Sequence, residues 1–205
     1  RLLCCMSSMN AGGAETFLMK QYRQIDREKY QLDFCVTGNK RYYYDDEIET
    51  LGGMIYRIPS KSSDVKAFRK RLSGVVKNNS YKYVLRITSN AAGLMDLKIA
   101  KKAGAEICAA RSSNSSDGDS IVQKVSHFLG KILYLGYVDV AIAPSKKAAE
   151  YTFGKKKAEK ALFVQNALDL NVFRYDSQSG TDVRKEFGFP EDTFVAGHIG
   201  RFEKQ

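Results

Sequence analysis

Short runs that are apolar without alternation recur along this chain, and almost every one is followed by a stretch of helical periodicity. The strand-length runs are Leu2 to Ser7, Leu32 to Thr37, Met54 to Ile58, Tyr83 to Ile87, Ala105 to Ala110, Val138 to Ala143 and Leu162 to Val164. A strand that is apolar on both faces must be covered on both faces, which parallel sheets achieve by sending each crossover through a helix. The fold class is therefore α/β, a doubly wound parallel sheet.

The helical stretches support this reading. Ala14, Phe17, Leu18 and Tyr22 share one face of a 3.6-residue period. Asp45 to Leu51 is a short acidic helix stopped by Gly52 and Gly53, and Asn90 to Ala103 is a helix closed by Gly104. Lys61 to Lys77 is a cationic helix with Val65, Phe68, Leu72, Val75 and Val76 as its apolar stripe. Ser120 to Leu135 carries Ile121, Val122, Val125, Phe128, Leu129, Ile132 and Leu133 on one side, the pattern of a core-facing stripe. Ser145 is an N-cap for a helix reaching Phe153.

The pattern changes after Asn166. Asp176 to Gly180 reads as linker, Asp182 to Phe187 as a short helix ended by Gly188, and Thr193 to Ile199 as a strand with no partner strand after it. The expected organisation is a first domain over 1–175, a linker and short helix over 176–192, and over 193–205 the first strand of a truncated second domain. Arg1 already heads an apolar run, so a start codon is expected upstream of it.

Among 205 residues, Lys and Arg exceed Asp and Glu by 33 to 23, a formal charge of +10. That excess favours an anionic partner: nucleic acid, a phosphate-bearing small molecule or a membrane face. Nucleic acid is not expected, because only Tyr42, Tyr43 and Tyr44 hint at an aromatic-basic surface and no recognition motif accompanies them. No apolar stretch reaches bilayer-spanning length, since Lys131 and Asp139 interrupt the most apolar region. Cys4, Cys5, Cys35 and Cys108 show no metal spacing and read as reduced core thiols of a cytoplasmic protein. No metal site is expected.

Ligands of doubly wound sheets sit beyond the carboxyl ends of the strands. The loops to inspect are therefore 8–13, 38–44, 89–90, 111–119 and 144–145. Met9 to Thr16 holds Gly12 and Gly13 between a strand and a helix, where backbone can approach a ligand and helix amides favour an anion. It lacks the third glycine of a dinucleotide fingerprint, and a plain tight turn explains it equally well. Arg111, Ser112, Ser113, Asn114, Ser115 and Ser116 leave a strand end with one cation and a row of hydrogen-bonding groups suited to sugar hydroxyls or phosphate. That loop is expected to be too hydrophilic for burial and to line a cleft. His127 and His198 read as structural. No Ser/His/Asp triad, HExxH or paired-carboxylate arrangement can be built, so no catalytic residue is assigned.

Five strings occur in a telling order: MNAGGAETFLM at 9–19, DDEIETLGGMIYRIPS at 45–60, APSKKAAEYTFG at 143–154, VQNALDLNVFRYD at 164–176 and DVRKEFGFPEDTFVAGHIGRFEKQ at 182–205. In this order they resemble glycosyltransferase family 4, particularly the bacterial subgroup that builds capsular and exopolysaccharides. The whole chain resembles the N-terminal half of such an enzyme. The resemblance implies the GT-B architecture, two Rossmann-like domains facing across a cleft, with the acceptor on the first and the nucleotide sugar on the second.

It further implies that Gly12 and Gly13 form the loop approaching the donor diphosphate and acceptor, and that Arg201 grips the diphosphate with a lysine just beyond Gln205. Asn166 stands at the Asn of the family's PNGID string, here QNALD. Arg111 stands where many relatives carry a sugar-contacting histidine. Asn10, Arg111, Ser112, Asn114, Ser145 and Asn166 are thus candidates for acceptor or sugar contacts. Such enzymes retain anomeric configuration and use no metal, cofactor or enzymic nucleophile, the nucleotide sugar being a substrate. Their acceptors are glycans or lipid-linked diphosphates at the cytoplasmic leaflet, where the cationic helix and Lys146, Lys147 and Lys155 to Lys157 would adhere to an anionic membrane. The second half is absent here, so this stretch alone is expected to be inactive. The alternative is a non-catalytic sugar- or phosphate-binding module on the same Rossmann-like layer.

Overall fold

The computed structural model describes every residue except 117–119, 169, 172, 175, 191 and 199–205. The chain separates into two compact units, Arg1–Asn166 and Ala167–Gln205.

The first unit is built on a seven-stranded parallel sheet of order β3-β2-β1-β4-β5-β6-β7. The strands are β1 (Leu2–Cys5), β2 (Leu32–Thr37), β3 (Ile55–Ile58), β4 (Tyr83–Thr88), β5 (Ile107–Ser112), β6 (Val140–Ala143) and β7 (Leu162–Phe163). The helices are α1 (Gly13–Gln24), α2 (Asp45–Thr50), α3 (Val65–Asn78), α4 (Met95–Lys102), α5 (Ile121–Tyr134), α6 (Lys146–Phe153) and α7 (Lys155–Ala158). The chain winds outward from β1 to β3, then crosses back to β4 on the other side of β1. The crevice beyond the carboxyl ends of β1 and β4 is consequently the switch point of the sheet.

Alternation within each strand divides the core in two. Leu3, Cys5, Cys35 and Val84 face α3, α4 and α6, where Phe68, Leu72, Leu97, Ala149 and Phe153 pack. Cys4, Phe34, Val36 and Leu85 face α1 and α2, where Leu18, Met19, Tyr22 and Ile48 pack. All four cysteines are buried and free.

Five sequence readings change. The segment after Asn90 begins as a 3-10 turn, Ala91–Leu94, before α4, with the Asn90 side chain accepting the Ala92 amide. Arg111 and Ser112, expected in an exposed loop, are the last residues of β5 and are 3% and 0% exposed. Their ladder to β4 and the ring of Phe17 bury them despite their polarity.

The apolar side of α5 faces outward: Ile121 and Val122 are each 76% exposed, and Phe128 and Ile132 each 63%. The buried edge is instead the one bearing His127 and Gly130. A Cβ at Gly130 would overlap the backbone carbonyl of Ala91, so glycine is what lets α5 lie against the 3-10 turn. His127 Nδ1 accepts the Ala91 amide at 3.0 Å, which leaves Nε2 as the protonated nitrogen donating to the Tyr151 carbonyl at 3.0 Å. The structural reading of His127 is thereby explained.

In the second unit, α8 (Ser177–Phe187) includes most of what was read as linker. Asp176 caps it by accepting the amides of Gln178 and Ser179, and Gly188 ends it in the left-handed region at φ 68°. Residues 193–198, expected to begin a strand, are irregular: among the described residues no neighbouring strand offers them a ladder. Residue 199 lies outside the described residues.

Candidate functional site

The first turn after β1 carries Asn10, Gly12 and Gly13. Asn10 is exposed, and its carbonyl accepts the Gly12 amide at 2.7 Å. Gly12 is the N-cap of α1 with extended backbone, φ −106°. A Cβ there would lie 2.5 Å from Glu15 Oε2, so the missing side chain leaves room for that carboxylate. A Cβ on Gly13 would meet nothing within 4 Å, which leaves an open approach to the first turn of α1. The sequence reading missed Glu15, whose side chain also takes a hydrogen bond from Ser8 at 3.4 Å. It compensates the positive helix end that an anion would otherwise use.

Arg111 and Asn166 come together. From the carboxyl end of β5, Arg111 lays its guanidinium 3.7 Å over the Phe17 ring of α1. Its Nη2 donates to Asn166 Oδ1 at 2.8 Å and to the Val164 carbonyl at 3.5 Å. Nε has no hydrogen-bond partner, and among the described residues no carboxylate pairs with this side chain. Burial pushes its pKa below the usual arginine value. A desolvated guanidinium held on an aromatic face, with its Nε sealed from solvent, places an unneutralised positive charge at the carboxyl end of β5, beside exposed Asn166, where it favours an anionic group.

The other predicted residues divide. Ser112 is fully buried and spent internally: its hydroxyl donates to the Asn114 carbonyl at 3.0 Å and lies 2.6 Å from Thr152 Oγ1. The expectation that it meets a ligand is corrected, because its bonding capacity holds β5 to α6. Ser145 accepts the Ala148 amide at 3.3 Å as the cap of α6. Asn114 and Asn166 are exposed. Arg201 lies outside the described residues.

A second charged group was missed. Arg86, in β4, donates to the Cys5 carbonyl at 3.2 Å and to Ser7 Oγ at 3.4 Å, just before the glycine turn. Asp96 of α4 joins it at 3.2 Å and takes Lys61 at 2.5 Å. Lys61, read as part of the cationic solvent face, is turned inward to this carboxylate, and burial pushes its pKa down. A charge inside the run Tyr83 to Thr88 was the available signal. Among the described residues, no three His, Cys, Asp or Glu side chains are grouped to hold a metal ion, and no helix is long and apolar enough to cross a membrane.

No protein-family model matches the chain. Over 210 residues it is 29% identical to "Putative glycosyltransferase EpsF" of Bacillus subtilis strain 168, covering 100% of this chain and 54% of that protein. The fold is similar to Anabaena Alr3699/HepE in complex with UDP, at TM-score 0.66 and 15% identity over 92% of this chain and 50% of that one. The same protein with UDP-glucose gives TM-score 0.62 and 16% identity, over 91% and 49%. A glycosyltransferase from Rickettsia africae ESF-5 gives TM-score 0.66 and 11% identity, over 93% and 50%. The chain spans about half the length of these proteins.

Proposed function

We propose that this chain is the acceptor-side half of a retaining, family 4 glycosyltransferase of GT-B type. It serves transfer of a sugar from a nucleotide sugar to a glycan or lipid-linked acceptor in capsular or exopolysaccharide synthesis, on the cytoplasmic face of a membrane. The observation that carries the reading is the meeting of Arg111 and Asn166 at the carboxyl ends of the sheet, in a chain similar along its whole length to a protein named as a glycosyltransferase. The Anabaena protein that shares the fold was solved in complex with UDP and with UDP-glucose.

In this reading the protein works by positioning and by charge. Arg111, immobilised on Phe17 and Asn166, sets a positive charge beneath the oxygen-rich part of the ligand. Gly13 keeps the first turn of α1 open to close approach, and Asn10 and Asn114 line the rim as hydroxyl partners. Arg201 neutralises the leaving diphosphate from the donor side. The reading calls for no metal or organic cofactor, and this half alone is inactive.

The test is a transfer assay on the complete reading frame with labelled nucleotide sugars and membrane extract as acceptor. Label is expected in the lipid or glycan fraction with the complete protein and not with the chain ending at Gln205. Absence of transfer from every donor, together with no nucleotide-sugar binding, would overturn the assignment.

A further inference from the structure

We infer that the free edge of β3, with the groove between it and α3, takes up an acidic peptide segment in extended conformation, which joins the sheet as a further strand. β3 lies at the margin of the sheet and has β2 as its one neighbour. The β2 side is fully used: the Met54 carbonyl accepts the Phe34 amide at 2.8 Å, and the Ile58 carbonyl accepts the Gly38 amide at 2.9 Å. In a parallel ladder alternate residues turn both backbone groups to the same side. Ile55 and Arg57 consequently aim N–H and C=O away from β2, and among the described residues no strand receives them. Such an edge is a template for another strand. The opposite margin, β7, has only two residues to offer.

The groove is shaped for an added strand. It measures about 790 Å³ and is walled on one side by β3 and on the other by Ala67, Lys70, Arg71, Gly74 and Asn78 of α3. Gly74 sits in the interior of α3, where glycine weakens a helix. Its φ is not positive, and a Cβ there would meet nothing within 4 Å, so neither a turn nor a close neighbour calls for it. Its effect is to leave the wall open beside β3, where side chains of an incoming strand would lie.

The charges select the occupant. A charged side chain on an edge strand commonly guards it, but Arg57 is drawn off toward α2, with Nη2 donating to Asp45 at 2.6 Å. Lys70 and Arg71 stand exposed on the rim, and no carboxylate is among the lining side chains. A segment carrying Glu or Asp on its outer positions would meet both cations while its backbone completes the ladder. A second copy of the chain fits poorly, because a two-fold pairing of β3 edges would bring the Lys70 and Arg71 rows together. Between β3 and β5 lie β2, β1 and β4, so the docked segment leaves the corner of Arg111 and Asn166 uncovered. The surface is an anchoring point for a partner protein, and it does not depend on the sugar-transfer reading.

The probe is a short fluorescent peptide of alternating glutamate and valine, titrated into the full chain and followed by anisotropy. Saturable binding is expected, with slowed hydrogen exchange at the Ile55 and Arg57 amides. A version with lysine for glutamate, and an acidic version with alternate amides N-methylated so that it cannot form a ladder, should each bind at least about tenfold more weakly. Gly74→Leu fills the groove and Lys70→Glu/Arg71→Glu reverses its rim; each should weaken the acidic peptide about tenfold or more. Both proteins should melt as the parent does, because the changes lie on exposed or open positions.

An acidic peptide that does not bind would overturn the proposal. So would equal binding of the N-methylated version, which would reduce the effect to charge alone, or binding that Gly74→Leu leaves intact. Exchange at Ile55 and Arg57 unaltered by saturating peptide would overturn it too, as would a dimer of the free chain that Gly74→Leu abolishes, since the edge would then belong to a second copy. The titration needs no sugar donor, so its outcome is independent of the transfer assay.

Discussion

Arg111 rests its guanidinium 3.7 Å above the ring of Phe17, so the end of the fifth strand and the first helix are joined through a cation that no carboxylate among the described residues neutralises. Burying an unpaired charge costs folding energy, and a residue that carries such a cost is a candidate for function. Arg111→Met keeps length and apolar contact with Phe17 while removing the charge. It is expected to leave stability unchanged or raise it by about 1 kcal/mol, while lowering transfer by the complete protein at least about thirtyfold. Urea unfolding and initial rates check the two arms. Loss of both together would mean that Arg111 is a structural residue.

Asp33 anchors the opposite end of the sheet. It takes two 2.6 Å hydrogen bonds from Arg1, one of 2.6 Å from the Tyr81 hydroxyl and one of 2.8 Å from the Met54 amide. Burial alone would raise its pKa, but these donors outweigh it and hold the carboxyl below the ordinary value of 3.8. The folded state therefore binds this proton only at lower pH than the unfolded chain does. Its contribution is complete above the unfolded value and is lost as pH falls through the depressed folded value. Asp33→Asn should flatten that part of the acid limb and cost about 2–3 kcal/mol at neutral pH, part of the Arg1 interaction being screened by solvent. Denaturant titrations of both proteins between neutrality and strong acid check it.

The strands were legible because runs such as Leu32 to Thr37 are apolar on both faces, a pattern that few environments besides a covered parallel strand satisfy. The stripe of α5 was legible as a stripe, but its direction was not. Periodicity says that one side is apolar and does not say whether core or another partner covers it. What turned the helix was Gly130 against Ala91 and His127 between two backbone groups, contacts between residues far apart in sequence. Arg111 and Asn166 were each singled out, yet their hydrogen bond spans 55 positions and depends on Phe17 beneath them. Ser112 was misjudged because a hydroxyl suited to a ligand is equally suited to Thr152.

Arg86, Asp96 and Lys61 form a charged set beneath the glycine turn, and their energies should be strongly interdependent. Asp96→Asn leaves two inward-turned cations with no counter-charge and is expected to cost about 3–5 kcal/mol. Lys61→Met removes one of them and should cost under about 1.5 kcal/mol, since Arg86 retains its carboxylate 3.2 Å away. Combined, the two changes should be less destabilising than the sum of the singles by at least about 1 kcal/mol. Strict additivity in a double-mutant cycle would show that the three groups do not act as one network.

Gly13 and Gly130 make opposite demands. Neither needs glycine for a positive φ. At Gly130 the obstacle is the Ala91 backbone, which cannot swing aside as a side chain would. Gly130→Ala is thus expected to pry α5 from the 3-10 turn at a cost of about 2–3 kcal/mol, weakening both hydrogen bonds of His127. At Gly13 a methyl group enters open space at the first position of α1, so Gly13→Ala should fold as well or up to about 1 kcal/mol better. If that space admits a ligand, the same methyl group should raise the acceptor or donor KM of the complete protein several-fold with kcat little changed. Thermal melts separate the two glycines first. A Gly13→Ala protein with normal stability and an unaltered KM would leave the turn as nothing more than the connection between β1 and α1.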